Sequence, residues 1–202
     1  MAKIVILNGP PGCGKDTIAI QLVDYFNLLH GKKARFSQFK DAVYRETQKY
    51  YGIPDSEMDI FTDRLKKETP NNLLGFISPR QALIHVSESV IKPVHGQAFF
   101  GKESLKFVDK HAKNFDMFIF ADGGFIAEVD ELRKHHEILI IRLHNGGMDF
   151  KGDSRRYFTD EELNERRVSF LDHDMHNGRF VLDTHCLATD IEYIFNLKEL
   201  KL

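Results

Sequence analysis

The sequence predicts an α/β fold: a parallel sheet of about five strands with helices packed on both faces. Three short, almost wholly apolar runs carry this reading: Lys3–Asn8, Asp116–Ala121 and Glu137–Leu143. Their length and their Ile, Val, Leu and Phe content are those of strands buried on both faces. Helix-periodic segments separate them, and strands that alternate with helices form parallel sheets. A glycine-rich turn joins the first run to the helix that follows it.

Lys3–Asn8 is the first strand. The chain then turns through GPPGCGKDT, residues 9–17, into a helix over about Lys15–Leu29. Ile18, Leu22, Tyr25 and Phe26 recur there at helical spacing, and Gly31 closes the end. Ala34–Phe39 reads as the second strand and Asp41–Tyr51 as the second helix. Residues 53–78 are polar, interrupted by proline and poor in strand formers, so they read as a partly helical excursion from the sheet. Ser78-Pro79 starts a helix with proline at the first helical position; it is expected to run to about Ile91 and to stop before Pro93.

Asp116–Ala121 is the next strand, followed by a helix over about Ala127–His136 and by the strand Glu137–Leu143. Residues 144–158, HNGGMDFKGDSRRYF, are glycine-rich and charged and read as a mobile loop. Thr159 opens a further helix, because Thr159-x-x-Glu162 has the capping-box pattern. Arg179–Asp183 reads as the last strand and Thr189–Leu197 as the last helix.

Composition narrows the function class. A chain of 202 residues suits a single domain, 1–202, with 42% apolar and 29% charged residues. The formal net charge of -2 lacks the basic excess that drives polynucleotide binding, so small anionic ligands are the expected partners. Cys13 and Cys186 form neither a disulfide framework nor a zinc spacing, which fits a reducing cytoplasm. The apolar N-terminal run is too short for a signal peptide or a membrane span and leads straight into the glycine-rich turn.

The turn carries the chemistry. Gly9, Gly14 and Lys15 satisfy G-x-x-x-x-G-K between a strand and a helix, the context that a phosphate-binding loop requires. Its glycines, with Gly12 and the small Cys13, let successive N–H groups curl around an anion. The helix N-terminus adds positive potential, and Lys15 a mobile charge for the β- and γ-phosphates. Asp16 stands where Ser or Thr is usual, and its carboxylate suits Mg2+; Thr17 follows as a candidate α-phosphate contact. This is the P-loop NTPase fold, and ATP with Mg2+ are the expected cofactors.

Ligands in such folds bind at the carboxyl ends of the strands. Asp122 ends an apolar strand there and reads as a second magnesium carboxylate or as a helix N-cap. Arg80, Arg64, Lys67 and Lys40 lie in or beside the excursion, about 53–100, and are candidates for an acceptor pocket, since a guanidinium fork suits phosphate oxygens. Lys92 and Arg142 join them as candidates, the latter as a strand-end arginine that needs a ligand or a carboxylate. Ser37 reads either as an acceptor contact or as an ordinary strand residue, and Phe99 or Phe100 as a contact for the acceptor. Arg155 and Arg156, within the loop 144–158, read as lid arginines that cover a transferring phosphoryl group or as a solvated basic pair. His173 and His176 are three apart; a metal site there needs a third ligand, and satisfied histidines are the alternative.

GPPGCGKDT resembles the phosphate loop of adenylate-kinase-type nucleoside monophosphate kinases, and its Gly-Lys-Asp-Thr variant resembles that of the bacteriophage-type deoxynucleoside monophosphate kinases. FSQFKDAVYRE, TDRLKKE, SPRQALIHVSESVIKPVHGQAFF and FADGGF resemble further segments of that family, in order, across about residues 1–145. The resemblance implies transfer of the terminal phosphoryl group of ATP to a (deoxy)nucleoside monophosphate, by a monomer or homodimer. Two departures favour a non-catalytic nucleotide-binding module instead: Gly124, where the family has an arginine, and Lys92 in the helix after Pro79. A P-loop kinase for another phosphorylated metabolite, such as phosphomevalonate, is the third reading.

Overall fold

The sheet is built around β1 (Lys3–Asn8), flanked by β3 (Met117–Gly123) and β4 (Glu137–His144), with β2 (Ala34–Ser37) and β5 (Ser169–Asp174) at its edges. All four pairings are parallel. The structure is a computed structural model that describes residues 1–29, 31–63, 65–176 and 178–197.

Successive strand residues point to opposite faces, and in β1 both faces are covered. Val5 and Leu7 pack against α1 (Lys15–Leu29) and α8 (Phe180–Ile194) through Leu22, Phe26, Leu187 and Ile191. Ile4 and Ile6 pack on the other side against α5 (Phe99–His111), α6 (Ile126–Leu132) and α7 (Asp160–Glu165), through Val108, Val129, Leu132 and Leu163. Two-sided burial is why β1, β3 and β4 are unbroken apolar runs. Truncating Phe118 or Phe120, both buried in β3, to alanine costs about 3–5 kcal/mol.

The excursion leaves the sheet after α2 (Lys40–Tyr51), which Gly52 ends in the left-handed conformation at φ 66°. Short 3-10 turns at Asp55–Phe61, Lys66–Glu68 and Asn72–Leu74 lead to α3 (Pro79–Ile84). Tyr44, Ile60, Phe61, Leu74 and Ala82 give this region its own apolar cluster. Ser78 and Gln81 form a complete capping box at the start of α3, as Thr159 and Glu162 do at α7.

Several elements differ from the sequence expectation. The helix from Pro79 does not stop before Pro93: it widens into a π-helical stretch, His85–Ile91, and continues as α4 (Lys92–His95). Lys92 N–H reaches back five residues to the carbonyl of Ser87, and that wider ladder accommodates a proline with no N–H to give. Helix α5, to which the sequence pattern gave no element, buries Phe100, Ser104 and Val108 at four-residue spacing. Its Gly101 is a close-approach glycine, since a Cβ there would lie 2.9 Å from Glu128 Cα of α6. Residues 179–183 are not a strand. Phe180 begins α8, with Val181 and Leu182 exposed, and the last strand is Ser169–Asp174. As an edge strand β5 has one neighbour and half-exposed faces, so polar residues interrupt its apolar pattern. Among the described residues, no helix is long and apolar enough to cross a membrane.

Candidate active site

Residues 9–17 leave β1 and enter α1 through a turn that only glycine fits at key points. Gly14 has φ 99°, and a Cβ on it would stand 2.5 Å from the Phe180 ring. A Cβ on Gly9 would lie 2.8 Å from the Leu143 carbonyl oxygen and 2.9 Å from Cys13 Sγ. Cys13 itself is buried as a small loop residue. Lys15 is 7% exposed, and its Nζ donates to the Pro10 carbonyl at 2.6 Å. Burial lowers its pKa, because the charged ammonium is partly removed from water. The loop thus presents a desolvated cation and a helix N-terminus to the same space, an arrangement suited to phosphate. Asp16 is exposed beside it and accepts from Gln38 Nε2 at 3.0 Å, while Thr17 follows on the cavity side.

The loop forms one wall of a cavity of about 970 Å³. Asp122, at the end of β3, lines the floor and is buried. Its two oxygens accept from the backbone N–H groups of Phe39 at 2.8 Å and Lys40 at 3.0 Å, so it caps the start of α2 from outside that helix. Desolvation raises its pKa, against the opposing pull of the Lys40 cation and the two N–H groups. The oxygen donors of Asp16, Thr17 and Asp122 share this cavity, and a set of hard oxygens fits Mg2+.

The same cavity is also lined by Lys40, Lys67, Arg80 and Lys92. Arg80 Nε donates to Glu68 at 2.7 Å. Lys92 is buried, donates to Glu88 at 2.6 Å and lies 4.6 Å from the centre of the Phe125 ring. Lys67 has its pKa pushed down to about 8, first by burial and then by the neighbouring charges of Lys40 and Arg80. That crowding of cations is what an anionic ligand relieves.

Three expected site residues lie elsewhere. Arg142 is not in the cavity. Its guanidinium ties β4 to β5 and α7, donating to Asp172, to Asp160 at 2.6 Å and to the Phe158 carbonyl at 2.9 Å, so its partners are carboxylates of the fold. Ser37 faces away from the cavity: β2 turns it toward Ser104, Phe107 and Phe120 in a small separate crevice. Arg156 points outward to Glu162 and the Tyr157 carbonyl. Arg64 lies outside the described residues.

Arg155, by contrast, is inside the cavity, because neighbours in extended chain point opposite ways. Asp153 holds its guanidinium by two bonds, 2.9 and 2.7 Å, and its stem lies on Gly124. A Cβ at Gly124 would be 2.5 Å from Arg155 Cβ. The residue after the β3 carboxyl end is therefore small because an arginine from elsewhere in the chain occupies its space. The C-terminal end of this segment is fastened by Asn8, whose side chain donates to the Arg156 carbonyl at 2.9 Å and accepts from Phe158 N–H at 3.0 Å.

Sequence reasoning missed Glu128 and assigned nothing to Phe125 or Gln97, all of which line the cavity, as does Phe100. Glu128 is buried, its Oε2 has no hydrogen-bond partner among the described residues, and its pKa stands well above the usual carboxylate range from desolvation and the nearby Asp122 charge. Its only sequence signal is an acidic residue in the first turn of a helix, which is common on any surface.

No protein-family model matches the chain, and no curated protein matches it in sequence. Solved structures similar to it over nearly its whole length include a sugar kinase from Janibacter sp., at 14% identity and TM-score 0.49, covering 95% of this chain and 96% of that one. A shikimate kinase from Bacteroides thetaiotaomicron is similar at 10% identity and TM-score 0.42, covering 96% and 98% of the two chains. A gluconokinase from Sinorhizobium meliloti is similar at 12% identity and TM-score 0.42, covering 98% of each. At such identities neither a substrate nor an activity passes to this chain.

Proposed function

We propose that the protein transfers the terminal phosphoryl group of ATP to a phosphate oxygen of a (deoxy)nucleoside monophosphate, releasing ADP. The observation that carries this reading is that further cations, Lys40, Lys67, Arg80 and Lys92, line the same cavity as the phosphate loop. A phosphate loop alone accounts for a donor; the crowding of Lys67 with Lys40 and Arg80 in the same cavity calls for an acceptor that is itself a phosphate.

The residues divide the work. The loop N–H groups and Lys15 hold the donor phosphates. Lys40, Lys67 and Arg80 orient the acceptor phosphate, and Arg80 exchanges its Glu68 partner for it. Arg155 lines the cavity close enough for its charge to act on both Lys15 and Lys67, where a guanidinium offsets the charge spread over the transferring group. Asp16 and Asp122 would hold Mg2+, which supplies neutralisation of charge on the donor phosphates. Phe100 and Phe125 give the acceptor side flat apolar surface, and Glu128 a buried acceptor for a donor group of the acceptor molecule. No covalent intermediate is needed, so catalysis is positioning and charge stabilisation.

This reading gives the two features that favour a non-catalytic module another account. Arg155 fills the space beside Gly124, and Lys92, paired with Glu88, is among the residues that line the cavity. ADP release measured against a panel of nucleoside and deoxynucleoside monophosphates tests the proposal. Turnover of at least one monophosphate is expected. Turnover only with non-phosphorylated sugars or sugar acids, or with none of these, overturns it.

A further inference from the structure

We propose that His173, His176 and Asp183 form a binding site for a divalent transition ion of the zinc class. The trio lies where the end of β5 turns into α8, on elements that do not line the cavity. His173 Nε2 is 3.0 Å from Asp183 Oδ1, His176 Nδ1 is 2.7 Å from the same oxygen, and the three ligand atoms all lie within 4.8 Å of one another. Zinc binds imidazole nitrogen and carboxylate oxygen at about 2.0–2.2 Å, so tetrahedral ligands stand roughly 3.3–3.5 Å apart. The two histidine–aspartate spacings need to widen by roughly 0.3–0.8 Å to reach that value.

Charge points the same way. Asp183 is completely buried. Its ion-pair partners among the described residues are the two histidines, which carry charge only when protonated; neither a lysine nor an arginine faces it. A buried carboxylate calls for a cation, and two imidazoles beside it supply the remaining ligands that zinc favours over magnesium or calcium.

The backbone already holds the carboxylate in place. His176 N–H donates to both its oxygens at 3.2 Å, and the turn is closed by Arg179 N–H on the His176 carbonyl at 2.7 Å. His176 is half exposed, which leaves a fourth ligand position for water. The ion would fasten the turn that carries Phe180, whose ring lies against Gly14 of the phosphate loop.

Calorimetric titration of the metal-stripped, full-length protein with Zn2+ tests the site, alongside H176A, H173A and the double variant. The wild type is expected to take up one tight equivalent and to melt at a higher temperature with it. Each single variant is expected to bind that equivalent on the order of a hundredfold more weakly, while its circular dichroism spectrum is unchanged. Co2+ added to the stripped wild type is expected to give the strong visible absorption of a tetrahedral site. Zinc uptake by the wild type no greater than by the double variant, or a Co2+ spectrum like that of the free ion, overturns the proposal and leaves the trio a hydrogen-bonded network.

Discussion

Replacing Gly124 with alanine tests the placement of Arg155 without touching its charge. The added Cβ would stand 2.5, 2.6 and 2.8 Å from Arg155 Cβ, Cγ and Cδ, whereas ordinary contact begins near 3.4 Å. Gly124 does not sit in the left-handed region, so the change brings steric overlap and no backbone penalty. Relieving the overlap moves the arginine stem by roughly 1 Å, and a displacement of that size in a positioned group costs on the order of a hundredfold in rate. Overpacking also costs about 1–3 kcal/mol of stability, so turnover is measured well below the melting temperature. The assay is ADP release at saturating ATP and monophosphate for G124A, R155A and the double variant. R155A is expected to lose about a thousandfold or more. In the R155A background the alanine at 124 is expected to do little, because the group it displaces is gone. Wild-type turnover by G124A refutes the reasoning, and so does a full hundredfold loss from G124A when Arg155 is absent.

Three further outcomes follow from the site and its surroundings. K15A is expected to lose a hundredfold or more in turnover while retaining its melting temperature; near-normal turnover would remove the central donor residue. Lys67, with its pKa near 8 in the free site against 10.5 ordinarily, is expected to regain its proton when a phosphate docks beside it. Binding of a monophosphate at pH 9 therefore takes up a proton that binding at pH 7 does not, since Lys67 is already charged there. Calorimetry in buffers of different ionisation enthalpy reads this, and K67Q abolishes it; equal uptake at both pH values would place the phosphate elsewhere. R142A is expected to lower stability by about 1.5–3 kcal/mol, the range for hydrogen bonds to charged groups, with the Michaelis constant for the monophosphate unchanged. A selective rise in that constant would return Arg142 to the binding site.

What the sequence disclosed depended on how local the cause was. The phosphate loop is legible because its shape is set within nine residues, by glycine spacing between a strand and a helix. β1, β3 and β4 are legible because burial on both faces removes polar residues from them. β5 is not, because an edge strand keeps charged residues such as Asp172 and Asp174. The cations Lys40, Lys67, Arg80 and Lys92 could be nominated singly, but their convergence is a property of how the excursion folds back. Arg142 misled because its carboxylate partner Asp172 is thirty residues away in the chain. Arg155 and Arg156 were inseparable in sequence, and one residue of strand-like parity sends one into the cavity and the other to Glu162. Glu128 gave only the sign of an acidic residue in a helix's first turn, which does not disclose that it is buried in the cavity.

Asn8 gives the molecule a shared pivot. This fully buried side chain, one residue ahead of the phosphate loop, also holds the Gly123 carbonyl at the end of β3. The backbone that grips a donor, the strand end that carries Asp122 and the segment that delivers Arg155 are thus knotted at one amide. The segment that carries Arg155 is therefore anchored, at its C-terminal end, to the strand that leads into the phosphate loop. Shortening Asn8 to alanine would leave every cavity-lining residue in the chain yet remove the amide that joins these three backbone segments.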